Sequence, residues 1–205
     1  MRLHALWLVL TLAATAGIVD RISVTVGNRV ISSSDIETRL RLSAMQNGKA
    51  VDLSLAARRE AAQQLIDQRL VAREMELGHY PRLEPAERAR LLPALAATSF
   101  KASMEALDGA LASAHLQRQD LEEDLARQSE LLTFLSLRFR PAVQVSDADV
   151  ERYYRERIIV KVPLNDIRDS IEQSVANERA DQELEKWLAD QRKRTRIVFV
   201  DRELQ

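Results

Sequence analysis

The chain has no cysteine, which removes disulfide bridges, thiol nucleophiles and cysteine-ligated zinc from its chemistry. Glycine and proline are scarce, five of each in 205 residues, so long stretches are free to be helical. Aromatic residues make up only 4% of the chain and form no stacking platform for single-stranded nucleic acid. Neither sign of charge dominates. With 30 basic and 31 acidic side chains the formal net charge is −1, which gives no long-range attraction for nucleic acid or anionic lipid. Catalytic motifs are lacking too: there is no H-E-x-x-H, no G-x-S-x-G and no phosphate-cradling glycine loop. Of the three histidines, His4, His79 and His115, none has a second metal-type ligand three or four residues on. The sequence therefore predicts no catalytic residue, no metal ligand and no cofactor.

What is present is a globular, helix-rich composition, 46% hydrophobic and 30% charged, long enough for one domain or one with an appendage. At the N-terminus, MRLHALWLVLTLAATAG has one basic residue, Arg2, then an apolar run, then Ala14 and Ala16 at the −3 and −1 places of an A-x-A cleavage site. The fifteen mostly apolar residues from Ala5 to Val19 fall short of the roughly 20 that a membrane span needs. Residues 1–16 are read as a cleaved secretory signal peptide, which places the mature chain in the periplasm or otherwise outside the cytoplasm, without stable membrane insertion. Residues 17–205 are read as a single domain.

That domain opens with period-two alternation in IVDRISVTVGNRVISSSDIETRL: Ile22, Val24 and Val26 on one face, Ser23 and Thr25 on the other. Gly27-Asn28 supplies a turn and Val30-Ile31 resumes the strand, so a β-hairpin is expected. Ser34 with Glu37 reads as a capping box that opens a helix running toward Asn47-Gly48. A lone hairpin is marginal in water. The strand pattern Arg196–Val200 at the far end supplies the missing partner, so the two chain ends are expected to form one small sheet.

Between the ends the pattern is helical. From Leu55 to Leu77, the residues Ala62, Ile66, Leu70 and Leu77, widened by Leu65, form a core stripe that Gly78 ends. A helix from about Ala86 is expected to kink at Pro93. Met104 to Ala114 is a shorter helix. Leu121, Leu125, Leu132, Leu135 and Phe139 build a longer one that stops before Pro141. Its acidic run Glu122-Glu123-Asp124 reads as a solvated face, and Arg192-Lys193-Arg194 as cations favoured at a helix C-terminus. Ser146 and Asp149 cap a short helix ending near Tyr153-Tyr154. The last helix, Leu164 to about Lys193, carries two stripes: Leu164, Ile167, Ile171 and Val175, and almost opposite, Ala176, Ala180, Leu184 and Trp187. Either each half meets a different surface or the helix is buried on both sides.

These segments in this order resemble the SurA family of periplasmic chaperones and the related parvulin-type foldases. VDRISVTVGNRVISSSDIETRL resembles the family's opening hairpin and capped helix, with the turn inverted to Gly27-Asn28. QLIDQRLVAREMELG (64–78) looks like its second helix. VSDADVERYYRER (145–157) and VPLNDIRDSIEQSVANERADQELEKWLADQRKRTRIVFVD (162–201) resemble the segments that flank its parvulin domain. The resemblance implies a mainly α, multi-helix peptide-binding domain with a small sheet. Its N-terminal part is 17–157, its C-terminal helix and strand 164–201, and residues 158–163 form a short connector where the family carries a prolyl isomerase. IIVKV in that connector reads as a short strand or an ordinary buried turn.

The function so implied is an exported, ATP-independent holdase for unfolded outer-membrane or secreted polypeptides, without isomerase activity. The alternative is a structural or adaptor protein of the envelope, with a homodimer swapped through its terminal strands as one form it could take. A third reading is a peptidyl-prolyl isomerase. Met45, Phe100, Met104, Tyr153 and Tyr154 are the candidate client-binding residues, because aromatic and flexible thioether side chains suit promiscuous contacts.

Overall fold

The computed structural model describes residues 20–100, 103–159 and 162–205. The signal-peptide reading at residues 1–16 lies outside the described residues, as do 160 and 161 of the connector.

The expected hairpin forms from β1 (Ile22–Val26) and β2 (Arg29–Ser32), with Val26 facing Arg29 across the two-residue turn. Gly27 takes φ +61° and Asn28 does not turn positive, the pattern of a type II′ turn, which wants glycine first. The stripe expected from Ile22, Val24 and Val26 breaks at its first member. Register slips between Ile22 and Val24, so Ser23 is the extra residue of a β-bulge. Ile22 is left 48% exposed and Ser23 is 1% exposed. Ser23 Oγ pairs with Ser33 Oγ at 3.0 Å, and its carbonyl accepts from the backbone N–H groups of Val200 and Asp201.

The C-terminal strand β3 (Ile197–Phe199) lies antiparallel to β1, with Val24 facing Phe199 and Val26 facing Ile197. The sheet order is β2-β1-β3, so the two ends of the chain close on each other as expected. A mainly helical architecture with a small antiparallel sheet built from both ends is the fold.

Helix α1 (Ser33–Gln46) starts earlier than the sequence indicated. Ser32, still extended at the end of β2, is the cap: its hydroxyl accepts from the Asp35 N–H, and the Asp35 carboxylate accepts from the Ser32 N–H. Ser34 lies inside the helix and instead bonds Asp20. The cap sits two residues before the expected Ser34, on the last residue of the strand.

Helix α2 (Leu55–Leu77) is capped by Ser54, whose hydroxyl accepts from the Ala57 N–H. It is buried on a broad face, through Ala61, Ala62, Leu65, Ile66, Leu70, Val71 and Met75. It touches α1, β1 and β2 as well as two later helices, and so sits at the centre of the molecule. Leu77, assigned to its core stripe, is the last residue of the helix and is 67% exposed. Gly78 follows with an ordinary φ. Its role is close approach: a Cβ there would lie 2.6 Å from the Tyr80 ring.

Pro93 does not kink a continuous helix. The chain breaks at Ala89-Arg90 between α3 (Pro85–Arg88) and α4 (Leu91–Ser99), which puts Pro93 in the first turn of a new helix, where proline is tolerated. Then come α5 (Met104–Ser113) and α6 (Arg118–Arg138), followed by a 3₁₀ turn at Arg140–Ala142, and α7 (Asp147–Arg157), capped as expected by Ser146 and Asp149. Helix α8 (Leu164–Arg194) completes the set. Among the described connector residues none is in a strand; Ile158 is half-buried and Ile159 is 96% exposed.

Among the described residues, three apolar clusters hold these elements. The main one joins the inner sheet face, α2, Phe134, Phe139 and the second half of α8. Phe134 is its centre, with the rings of Tyr80, Phe139 and Trp187 edge-on at 5.1–5.6 Å. A second cluster gathers Leu42 of α1, Leu92, Leu107, Leu111 and Leu121. The third joins Val150 of α7 to Ile171 and Val175 of α8. Leu132, expected in the core, is 67% exposed. Fully buried Phe134 is the α6 residue that fills the main core.

Candidate functional site

The five residues singled out from the sequence do not form one surface. Met45, Phe100 and Met104, from α1, the end of α4 and the start of α5, are brought together as half-buried side chains on the second cluster. Tyr153 and Tyr154 belong to the third cluster. The Tyr154 hydroxyl donates to the Val162 carbonyl at 2.6 Å, tying α7 to the chain entering α8, and the Arg157 guanidinium sits 5.8 Å from the Tyr153 ring. Each of the five is at least partly occupied in packing.

A different place combines depth with apolar lining. Helices α2, α6 and α8 leave a cleft of about 280 Å³ floored by Val71 and Met75 of α2, Leu131 of α6, and Leu184 and Leu188 of α8. Charged side chains of both signs ring it, Arg39, Asp67 and Arg69 on one side and Glu130 and Glu185 on the other. Asp67 is fixed by Arg192, whose Nε donates to it at 2.7 Å; that hydrogen bond raises the guanidinium further above its usual value.

One wall is braced by a residue that the sequence misplaced. Asp124, read as part of a solvated acidic face, is 1% exposed. Its carboxylate accepts from Arg39 Nη1 at 3.2 Å, Gln46 Nε2 at 3.1 Å and Gln128 Nε2 at 2.8 Å, with Arg127 at 3.8 Å. A buried carboxylate is tolerable only when its lone pairs are so occupied. Because Arg39 and Gln46 come from α1, the buried acid locks α1 onto α6. The run Glu122-Glu123-Asp124 hides this because only the third residue turns inward on a helix.

Two further polar atoms in the cleft are not satisfied. Gln68 Oε1 and Arg127 Nε are buried, and neither has a hydrogen-bond partner among the described residues. Both side chains line the cleft, one from α2 and one from α6. The arrangement offers an apolar floor, while these two atoms are themselves covered by protein. Sequence reasoning missed all of these residues. The available signal was Val71 with Met75, an apolar pair four apart on the side of α2 turned away from the Ala62–Ile66–Leu70 stripe. Gln68 and Arg127 gave none, since an orphaned atom exists only once three helices have met.

Among the described residues no group of three His, Cys, Asp or Glu is placed to hold a metal ion, and no helix is long and apolar enough to cross a membrane. No protein-family model matches the chain, and no curated protein matches it significantly.

Proposed function

We propose that the chain is an exported, ATP-independent holdase that keeps unfolded outer-membrane or secreted polypeptides from aggregating. The observation that carries this reading is the apolar-floored cleft between α2, α6 and α8: apolar surface left open is costly unless something binds there. The order of segments shared with the SurA family supports it, and so does the aromatic and thioether composition of Met45, Phe100, Met104, Tyr153 and Tyr154. In this reading those five give secondary contacts around a client seated in the cleft. The purified protein should suppress aggregation of a chemically unfolded β-barrel client at near-equimolar ratio; no suppression at tenfold excess overturns the reading.

The resemblance places no isomerase residues in the six-residue connector, so the proposed activity is holding alone. Proline-limited refolding takes tens to hundreds of seconds unaided, and the protein should leave that rate unchanged. One observation favours the adaptor reading: the outer sheet face exposes Val30, Val198 and Val200, with Thr25 in register between the first two. A stoichiometric complex with a single folded envelope protein, in place of aggregation suppression, would select it.

A further inference from the structure

We infer that the outer edge of β3 takes an extended segment of a client polypeptide as a fourth strand, antiparallel to β3, and that it prefers the pattern apolar-x-apolar-x-acidic. This rests on the polypeptide-holding reading above and adds to the cleft a contact directed at the client's backbone.

The sheet order β2-β1-β3 leaves two edges, and they differ. Helix α2 packs on β2, where Arg69 Nε donates to the Val30 carbonyl at 3.5 Å and Arg29 is ion-paired with Glu76. The strand β3 lies along β1 and packs along no other element among the described residues. Its backbone directions follow from the ladder. The Gly27 N–H donates to the Arg196 carbonyl and the Val200 N–H to the Ser23 carbonyl. Bonded pairs alternate along an antiparallel ladder, so Val198, opposite Thr25, also turns its backbone groups to β1. The N–H and C=O groups of Ile197 and Phe199 therefore point away from the sheet, and no side chain bonds them among the described residues. An edge of that kind is a template for another extended chain.

Side chains then select the chain. Arg196, Val198 and Val200 alternate along the outer face, and all three are exposed. In an antiparallel partner centred on Val198, the residues opposite Ile197 and Phe199 exchange backbone hydrogen bonds with them. The residues opposite Arg196, Val198 and Val200 occupy the closer, non-hydrogen-bonded positions and lie on the outer face. Apolar residues suit the places opposite Val200 and Val198. An acidic residue suits the place opposite Arg196, whose guanidinium meets no carboxylate among the described residues. A second copy of this chain fits worse. Centred on the same residue, it would set the Arg196 of each copy against the Val200 of the other, so neither cation gains an anion and neither valine an apolar neighbour. The edge is matched to a different polypeptide.

The test titrates the capped peptide acetyl-Ser-Val-Thr-Val-Thr-Glu-Ser-amide into the isotope-labelled protein and follows it by NMR. The peptide should shift the amides of Ile197, Val198 and Phe199 and slow hydrogen exchange at Ile197 and Phe199. Methylating both threonine nitrogens removes two backbone hydrogen bonds to β3 and should weaken binding roughly ten- to a hundredfold. Methylating the central valine nitrogen, which points away from β3, should leave binding unchanged. Exchanging the peptide's glutamate for lysine should weaken binding roughly two- to fivefold, and Arg196→Glu, an exposed substitution, should reverse that preference. Equal effects of methylation at threonine and valine, shifts confined to the cleft around Val71 and Leu184, or self-association through β3 in place of peptide binding overturns the assignment. Parallel aggregation assays separate the two readings. A protein that suppresses aggregation but binds all the peptides alike loses this site and keeps the holdase. One that discriminates among the peptides but suppresses nothing keeps the site and loses the holdase.

Discussion

From Leu164 to Val175, helix α8 packs on α7 through a small cluster whose buried members are Val150, Ile171 and Val175. From Ala180 to Leu188 the same helix packs on α2 and α6, in the cluster that also holds Phe134, Phe139 and the inner sheet face. The two stripes lie on nearly opposite sides of one 31-residue rod about 46 Å long. Attachment differs in kind as well as amount. The first half and the turn after it are tied to α7 by ion pairs, exposed for Asp147 with Arg168 and partly covered for Asp149 with Arg179 at 2.7 Å. The second half joins an aromatic cluster through Trp187, edge-on to Phe134 and Phe139, with the Arg138 guanidinium of α6 within 5.8 Å of all three rings. Exposed ion pairs contribute little to stability, while buried apolar area is its main source. The difference teaches that α7 with the first half of α8 is the region that opens first, and that the sheet end opens last.

The largest effect should come from removing residues 196–205, which takes away β3 and the fully buried Leu204. The loss of stability in urea should exceed the roughly 2–5 kcal/mol expected for truncating one such leucine. Amide exchange at Val24 and Val30 should accelerate; unchanged protection there would break the idea that the chain ends hold each other.

Next come paired truncations, one for each half of α8. Phe134→Ala should cost about 3–5 kcal/mol and speed exchange in every element. Ile171→Ala should cost about 2–4 kcal/mol and speed exchange in α7 while leaving Val24 protected. If Ile171→Ala unprotects the sheet to the same degree, the two halves form one cooperative unit and the comparison fails.

Acid should act more weakly and more locally. The Ser146 backbone N–H and hydroxyl, then Arg179, hold the Asp149 carboxyl far below its ordinary value of 3.8. A group depressed in the folded state stabilises it fully above the unfolded value and loses that contribution as pH falls through the folded one. Helix α7 should therefore keep its cap at pH 5 and above, and loosen progressively below about pH 4. Asp149→Asn should remove that dependence for α7, as read by amide exchange at Val150. The smallest effect is expected from Leu132→Ser, within about 0.5 kcal/mol by denaturant melt, because that side chain packs on nothing that buries it. A larger loss would place Leu132 in a contact across the groove it shares with Ala180.

Much of this was legible because it is local. The hairpin turn at Gly27, the Ser146–Asp149 cap, the extent of α2 and the two stripes of α8 follow from periods and caps that a chain carries without knowing its neighbours. Candidate site residues were legible only by type. Met45, Phe100, Met104, Tyr153 and Tyr154 are chemically suited to clients, but the structure divides them between two clusters and half-buries each one. Caps depend on where the preceding strand ends, so Ser32 with Asp35 displaced the equally well-formed Ser34 with Glu37.

By itself, then, the sequence determined most of the helical segments, the hairpin at Ile22–Ile31 and the late strand that pairs with it, and the two apolar sides of α8, since each is a pattern of spacing within one segment. Tertiary structure alone decided that Ile22 faces out and Ser23 in, because a bulge exists only against a partner strand. It alone buried Asp124, by bringing Arg39 and Gln46 from α1 to a carboxylate on α6. And it alone made the cleft, whose floor is shared among three helices and whose unpaired atoms, Gln68 Oε1 and Arg127 Nε, would have been hydrated on either helix in isolation.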